Sequence, residues 1–322
     1  MSTVPLTQRL EGTRRLRDWF GDRLLLLLTL LASLAAVAIM VAIAWRVLRG
    51  AHLSFSTFGL GFLTGTTWDV NHNIFGAGTL LFGTAITSAI ALVVGGPLAI
   101  AIALFLSELA PRGVRGVIGT LVEMLAAIPS VVLGLWGILV MGPFLAHHVE
   151  PWLSRWLGFI PIFSGGASTG SDVFMAGLIL AIMIVPIVAS ICRELFLSIP
   201  QELEEGALAL GATRWEMVRG VVLSGSRPGI AAALILGLGR ALGEAIAVTQ
   251  VIGAGSAIHS SFFVTGDTLA SRIAAQFQGY VSKLQVSSLF YLAAILLVIG
   301  LVTNLLALII VRRFEAHRAG TA

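Results

Sequence analysis

Six stretches of the 322-residue chain are apolar enough and long enough to cross a bilayer, and polar, arginine-bearing segments separate them. They cover about 24–45, 79–106, 117–141, 174–196, 228–252 and 287–311. The pattern predicts an all-α membrane protein with six transmembrane helices: a polar segment at 1–22, a membrane domain over 23–318 and a tail at 319–322. Arg9, Arg14, Arg15 and Arg17 alternate with Glu11, Asp18 and Asp22, which suits a short helix lying on the membrane face. Ala36-Val37-Ala38 looks like a signal-peptide cleavage site, but the run around it is longer than such a peptide's apolar core, so the first span is expected to stay. Residues 46–77 and 142–172 read as outer loops, the second carrying Trp152 and Trp156 for an interfacial belt. Within the second loop, Ser164 to Ser171 is glycine-rich like an anion nest but has no lysine, and reads as a flexible turn. Gly95-Gly96-Pro97 should kink or loosen the second span, and Glu123 in the third reads as an interfacial carboxylate. The outer segment between the fifth and sixth spans holds Asp267, Arg272 and Lys283.

Composition agrees: 57% hydrophobic and 11% charged residues, with a mean hydropathy of +0.97, exclude a soluble domain. The net charge of +4 comes from arginine, since Lys283 is the only lysine, and it suits loops beside anionic lipid rather than a nucleic-acid surface. Of the 20 basic residues, 14 fall on one side of the six-span map and 5 on the other, with Arg240 inside a span. The positive-inside bias therefore places both termini in the cytoplasm. One cysteine, Cys192, allows no intrachain disulfide, and the six histidines show no metal-ligand spacing beyond the adjacent His147 and His148. No Gly-x-x-x-x-Gly-Lys-Ser/Thr sequence occurs, so ATP binding in a P-loop is not expected of this chain.

Two full charges stand inside the fifth span, Arg240 and Glu244. On an unbroken helix they would lie about 40° apart on one face. That stripe also carries Ala233, Gly237 and Ala247, so the charges sit on the side without bulk. An arginine at mid-membrane costs about 2.5 to 3.5 kcal/mol on insertion scales, which calls for a partner or a task. Two readings follow: a self-neutralising pair that pins one helix against the next, or a contact and gate for a translocated anion, whose oxygens suit a guanidinium fork.

The long cytoplasmic loop, 197–227, has helix signals of its own. Ser198 and Gln201 can form a capping box, Gly211 is placed to end that helix in a left-handed turn, and Thr213 with Glu216 can open a second short helix carrying Trp215, Val218, Val221 and Val222. Glu205-Gly206-Ala207, then Gly211, then Val221-Val222-Leu223 resembles the EAA loop of ABC importer permeases, departing from it at Gly206 for alanine and Ser224 for proline. In that family the loop docks in a cleft of the ATPase subunit, so the resemblance implies a docking surface of Glu204, Glu205, Ala207 and Gly211; the alternative is a solvated acidic helix. Within the importers, Gly239 to Gly253, Glu123 to Gly137 and Phe62 to Asp69 are similar to the phosphate-specific permeases, the PstC family. That likeness implies the type I ABC importer permease fold in the bacterial inner membrane and a translocation path gated at Arg240 and Glu244. The partners it implies are a homologous permease subunit, two ATPase subunits that bind ATP and Mg, and a periplasmic phosphate-binding protein, with no cofactor on this chain. Rival readings are a permease for molybdate, sulfate or phosphonate, and a secondary anion transporter that needs no ATPase.

Overall fold

A computed structural model describes residues 6–164 and 169–319. Residues 1–5 of the expected 1–22 segment, 165–168 of the expected flexible turn and 320–322 of the tail lie outside the described residues. Among those described, six helices are long and apolar enough to cross a membrane: Asp22–Phe58, Gly78–Leu109, Ser130–Leu157, Val173–Leu197, Arg214–Gly243 and Lys283–Ile310. The chain divides into two compact units, residues up to Arg49 and residues from Gly50.

The first unit is helical throughout its described part. Helix α1 runs Leu6–Phe58, so the short surface helix expected within 1–22 and the span expected at 24–45 form one continuous element. Nothing in that stretch stops a helix: it has neither glycine at a turn position nor proline until Gly59 takes φ +54° past the end. Its leucines from Leu24 to Leu34 are exposed, as a lipid-facing surface requires. Arg49 lies over the Trp45 ring, 4.6 Å from its centroid.

In the second unit, residues 68–75 form a two-stranded hairpin, β1 (Trp68–Asp69) against β2 (Ile74–Phe75). Helix α2 (Gly78–Leu109) follows, its last turn widened to π geometry at Phe105–Leu109. Helix α3 (Arg112–Ala126) then ends before Pro129, because proline pushes the residue before it out of the helical region and has no N–H to continue the ladder. The third spanning helix, α4 (Ser130–Leu157), starts after that proline. This corrects the 117–141 span: at 15 residues α3 is too short to cross, and the first part of the stretch read as an outer loop, 142–157 with Trp152 and Trp156, is the end of α4. Glu123 on α3 faces Arg193 of α5 (Val173–Leu197) at 3.7 Å, an ion pair open to solvent and worth at most about 1 kcal/mol.

Beyond α5 come α6 (Gln201–Ala209), α7 (Arg214–Gly243), α8 (Ile246–Val251), α9 (Leu269–Gln276) and α10 (Lys283–Ala319). The core surrounds α5. Its first half, Met175 to Ile184, meets Ala91 of α2, Leu133 of α4 and Val248 of α8. Its second half, Val185 to Phe196, meets Ala99 and Ala103 of α2 and Val218, Val222 and Ala233 of α7. Small residues set these distances, as they do wherever helices associate in lipid. A Cβ on Gly177 of α5 would lie 2.6 Å from the Cβ of Ile90, and one on Gly96 would lie 2.9 Å from Leu234. Gly95-Gly96-Pro97 therefore serves as a close contact of α2 with α5 and α7 inside an uninterrupted α2, where the sequence alone suggested a kink.

Gly177→Leu should lower the melting temperature of the complex in detergent, because overpacking a fixed helix pair costs about 1–3 kcal/mol. Gly300→Leu, where an added Cβ meets nothing within 4 Å, should leave it unchanged; equal effects would refute the close-contact assignment.

Candidate functional site

The loop between α5 and α7 is built from local backbone signals. Ser198 is the C-cap of α5, and its hydroxyl donates back to the Leu195 carbonyl at 2.7 Å. It is thereby unavailable to α6, whose N-cap is Pro200 with no side-chain cap, so the Ser198–Gln201 capping box does not form. The end of α6 follows the sequence signal. Gly211 takes φ +87°, its N–H donates to the Leu208 carbonyl at 3.0 Å, and the Ala212 N–H donates to the Ala207 carbonyl at 3.2 Å, the two bonds of a Schellman turn. Thr213 and Glu216 then close a reciprocal box: the Glu216 N–H donates to Thr213 Oγ1, and Glu216 Oε2 accepts the Thr213 N–H at 2.8 Å. The helix this box opens is no separate short element, since it continues through a π-turn at Val218–Leu223 into the fifth span.

Of the loop residues singled out from sequence, Ala207 packs half-buried against the cluster of Phe196, Met217 and Val222, while Glu205 and Gly211 are exposed. Glu204 is half-buried, and partial burial, then the nearby Glu108 at the end of α2 and Glu205, push its carboxyl pKa up. Leu210, 91% exposed, and Trp215, 64% exposed, add apolar surface on the outside of the same turn. Of the residues that the helix opened at Thr213 carries, Val218 and Val222 are buried and Val221 packs half-buried against the same cluster, while Trp215 faces out. An exposed leucine beside the helix-ending glycine was the available signal for Leu210.

The fifth span is not one helix over 228–252. Helix α7 stops at Gly243, Glu244 adopts extended backbone (φ −72°, ψ 118°), and α8 begins two residues later. Glycine weakens the helix there, and a short acidic side chain stabilises an N-terminus. Glu244 Oε1 accepts the Ala247 N–H at 3.2 Å, so its carboxylate tends the start of α8. Of the two readings, the self-neutralising pair does not form here: no ion pair joins Arg240 and Glu244. Arg240 is exposed in the last turn of α7, where a cation faces the negative end of the helix dipole. The spanning helix ends at Gly243 with an arginine in its last turn and a carboxylate just beyond it, an arrangement similar to the discontinuous helices of transporters. Helix α8 lies against α4, where a Cβ on Gly134 would sit 3.0 Å from Ala247, and it reaches α9 through Thr249 Oγ1 and the Ser271 carbonyl at 3.3 Å.

One close pair escaped the sequence reading. Asp267 and Arg272, five residues apart and therefore not on one helix face, meet at 2.6 Å between Nε and Oδ2, both buried.

The family of the binding-protein-dependent transport system inner membrane component matches residues 95–316. The phosphate transport system permease protein PstC of Pasteurella multocida (strain Pm70) is 39% identical over 306 residues, covering 94% of this chain and 95% of that protein. The PstC of Mesorhizobium japonicum is 40% identical over 289 residues, covering 89% of this chain and 88% of its own length. Among solved structures, a bacterial alginate ABC transporter in complex with an alginate pentasaccharide-bound periplasmic protein superposes with a TM-score of 0.59 at 21% identity, over 92% of this chain and 96% of that one. At that identity the match speaks for the fold, which is that of an ABC importer permease. With six spanning helices, a family match over most of its length and relatives near 40% identity, the chain belongs to the inner-membrane permeases of binding-protein-dependent transport systems, within the PstC family.

Proposed function

We propose that this chain is the permease subunit of an ATP-driven phosphate importer, forming half of the translocation path in the bacterial inner membrane. The observation that carries the reading is full-length similarity to PstC permeases in a chain whose α6–Gly211–α7 loop is folded as a compact grip. The working unit comprises this chain, a homologous permease, two ATPase subunits and a periplasmic phosphate-binding protein. ATP and Mg are bound and ATP is hydrolysed on the ATPase subunits; this chain carries no P-loop, binds no cofactor and performs no catalysis. Both termini and the coupling loop face the cytoplasm.

Closure of the ATPases pushes on Glu204, Glu205, Ala207 and Gly211. The force enters α7 without a flexible joint, because the capped turn at Thr213 and the π-turn lead straight into the spanning helix. Arg240, at the far end of that helix, meets the phosphate released by the binding protein. Glu244 holds α8 in register and keeps a negative charge near the path, which limits how tightly an anion can bind. Modest attraction is what passage requires, since a deep well would trap the ion.

Arg240→Gln should abolish phosphate uptake by cells while the complex still purifies intact, and wild-type uptake rates in that variant would remove the charge from the mechanism. Exchanging Arg240 and Glu244 should not restore transport, because the two side chains have different tasks; full recovery would mean a simple pair. For the coupling surface, Glu205→Lys should release the ATPase subunit from the membrane fraction, and undiminished co-purification would count against docking there. Gly211→Val places a β-branched residue at positive φ, at a cost of about 1–2 kcal/mol, and should speed amide exchange at residues 207–213 roughly tenfold.

A further inference from the structure

At the end of the bundle that carries the coupling loop, a narrow cleft opens between α2, α3 and α5. Leu106, Val122 and Ala189 give it apolar walls, and Gly119, Glu123 and Arg193 complete the lining. Arg193 stands four residues, about 6 Å, before the end of α5. Its side chain is only 28% exposed. Among the described residues the guanidinium has one ionic neighbour, Glu123 Oε1 at 3.7 Å from Nη1, which is beyond hydrogen-bond length, and its Nε is buried with no acceptor. The Glu123 side chain is 62% exposed and so is free to move away. Gly119 keeps the space beside the cation open, since a Cβ there would stand 3.7 Å from Nη1 and a longer side chain would lie across it. A second guanidinium, Arg115, comes one turn before Gly119 on the same face of α3, where its Nη2 donates to the Ser107 carbonyl of α2. The enclosed part of the cleft measures about 10 Å3, room for one oxygen-sized group. A largely buried cation whose donors reach no acceptor is costly to keep, which calls for an acceptor from outside the chain.

We infer that this cleft seats a phosphoryl group, one oxygen entering to the Arg193 guanidinium while the rest of the group lies in the mouth, with Glu123 as the carboxylate it displaces. Two sources carry that chemistry, the head group of a phospholipid and inorganic phosphate. The inference does not rest on the phosphate-importer reading, since it needs only a membrane protein with this cleft. Planar guanidinium donors match phosphoryl oxygens and bond them with charge assistance. The ion pair that the newcomer breaks is a weak one, long and open on the Glu123 side. Position agrees: one turn from the end of a spanning helix is the level of lipid head groups, and basic clefts between spanning helices at that level are where such groups bind. A space that admits one oxygen does not enclose a whole phosphate ion, so the group stays partly in the open whichever source supplies it. The apolar walls suit the glycerol end of a lipid.

The test uses the assembled complex, purified in a maltoside detergent and stripped of phospholipid, and follows modification of Arg193 by phenylglyoxal through the mass of its peptide. Rates are measured with dihexanoyl phosphatidylglycerol or with dihexanoylglycerol, which lacks the phosphoryl group, and with inorganic phosphate or chloride at equal ionic strength. A phosphoryl ligand at ten times its Kd should slow the reaction about tenfold. Arg155, exposed in the last turn of α4, should keep its rate. Slowing by the lipid alone assigns the cleft to a head group, by inorganic phosphate alone to the free anion, and by both to the phosphoryl group at large; all three sustain the proposal. Glu123→Gln, which keeps the shape and removes the competing charge, should move the midpoint several-fold to lower ligand. No slowing by either ligand, equal slowing by dihexanoylglycerol or chloride, equal slowing at Arg155, or a midpoint that does not fall in Glu123→Gln would overturn the assignment. Phosphate uptake by cells judges the importer reading separately: its failure leaves the Arg193 cleft standing, and unprotected Arg193 with normal uptake removes the cleft alone.

Discussion

A backbone in lipid has no water to turn to, so every N–H and C=O must find a partner within the protein, and this condition governs where the chain can depart from a helix. Inside the expected fifth span it departs at Glu244, and there the carboxylate oxygen receives the Ala247 amide that the break leaves open. The broken segment is also packed on both sides, by Gly134 of α4 and by the Ser271 backbone of α9. The interruption is therefore a supported feature, and its effect is to leave Arg240 at the end of a helix with its charge uncommitted.

Much of this architecture could be read from the residues because the signals are local. Apolar runs lie close to the second, fourth and sixth spanning helices, and Gly211 and the Thr213–Glu216 pair foretold turns whose hydrogen bonds involve only neighbours in sequence. The failures have the opposite cause. Pro129 could kink a span or end a helix, and only the packing of α4 against α8 decides for the latter. Ser198 had two carbonyl and amide partners within reach and took the one behind it. Gly95 and Gly96 looked like weak points in a helix because the residues they make room for, Ala181 and Leu234, are more than 80 positions away.

The charged residues divide in the same manner. Arg240 drew attention because it interrupts an apolar run, which any reading by hydropathy detects. Arg272 lies in a mixed segment where an arginine is unremarkable by composition, and its burial depends on Trp68 from a distant hairpin and on an aspartate fixed by α2. Sequence spacing carries no trace of such an arrangement. A family likeness is no better a guide here, since it transfers the residues of a motif and is silent on those outside it.

The π-turn at Val218–Leu223 has a consequence for how this permease can vary. Each residue added to or removed from a helix swings all that follows by about 100° around the axis. A wide turn stores the equivalent of one such residue without breaking the rod. Loss of a single residue there would let the wide turn relax to ordinary pitch while the helix on either side keeps nearly the same angular phase, because the wide turn had already absorbed that residue. The end of α7 that carries Arg240 is thus buffered against one small deletion near the α6–α7 turn.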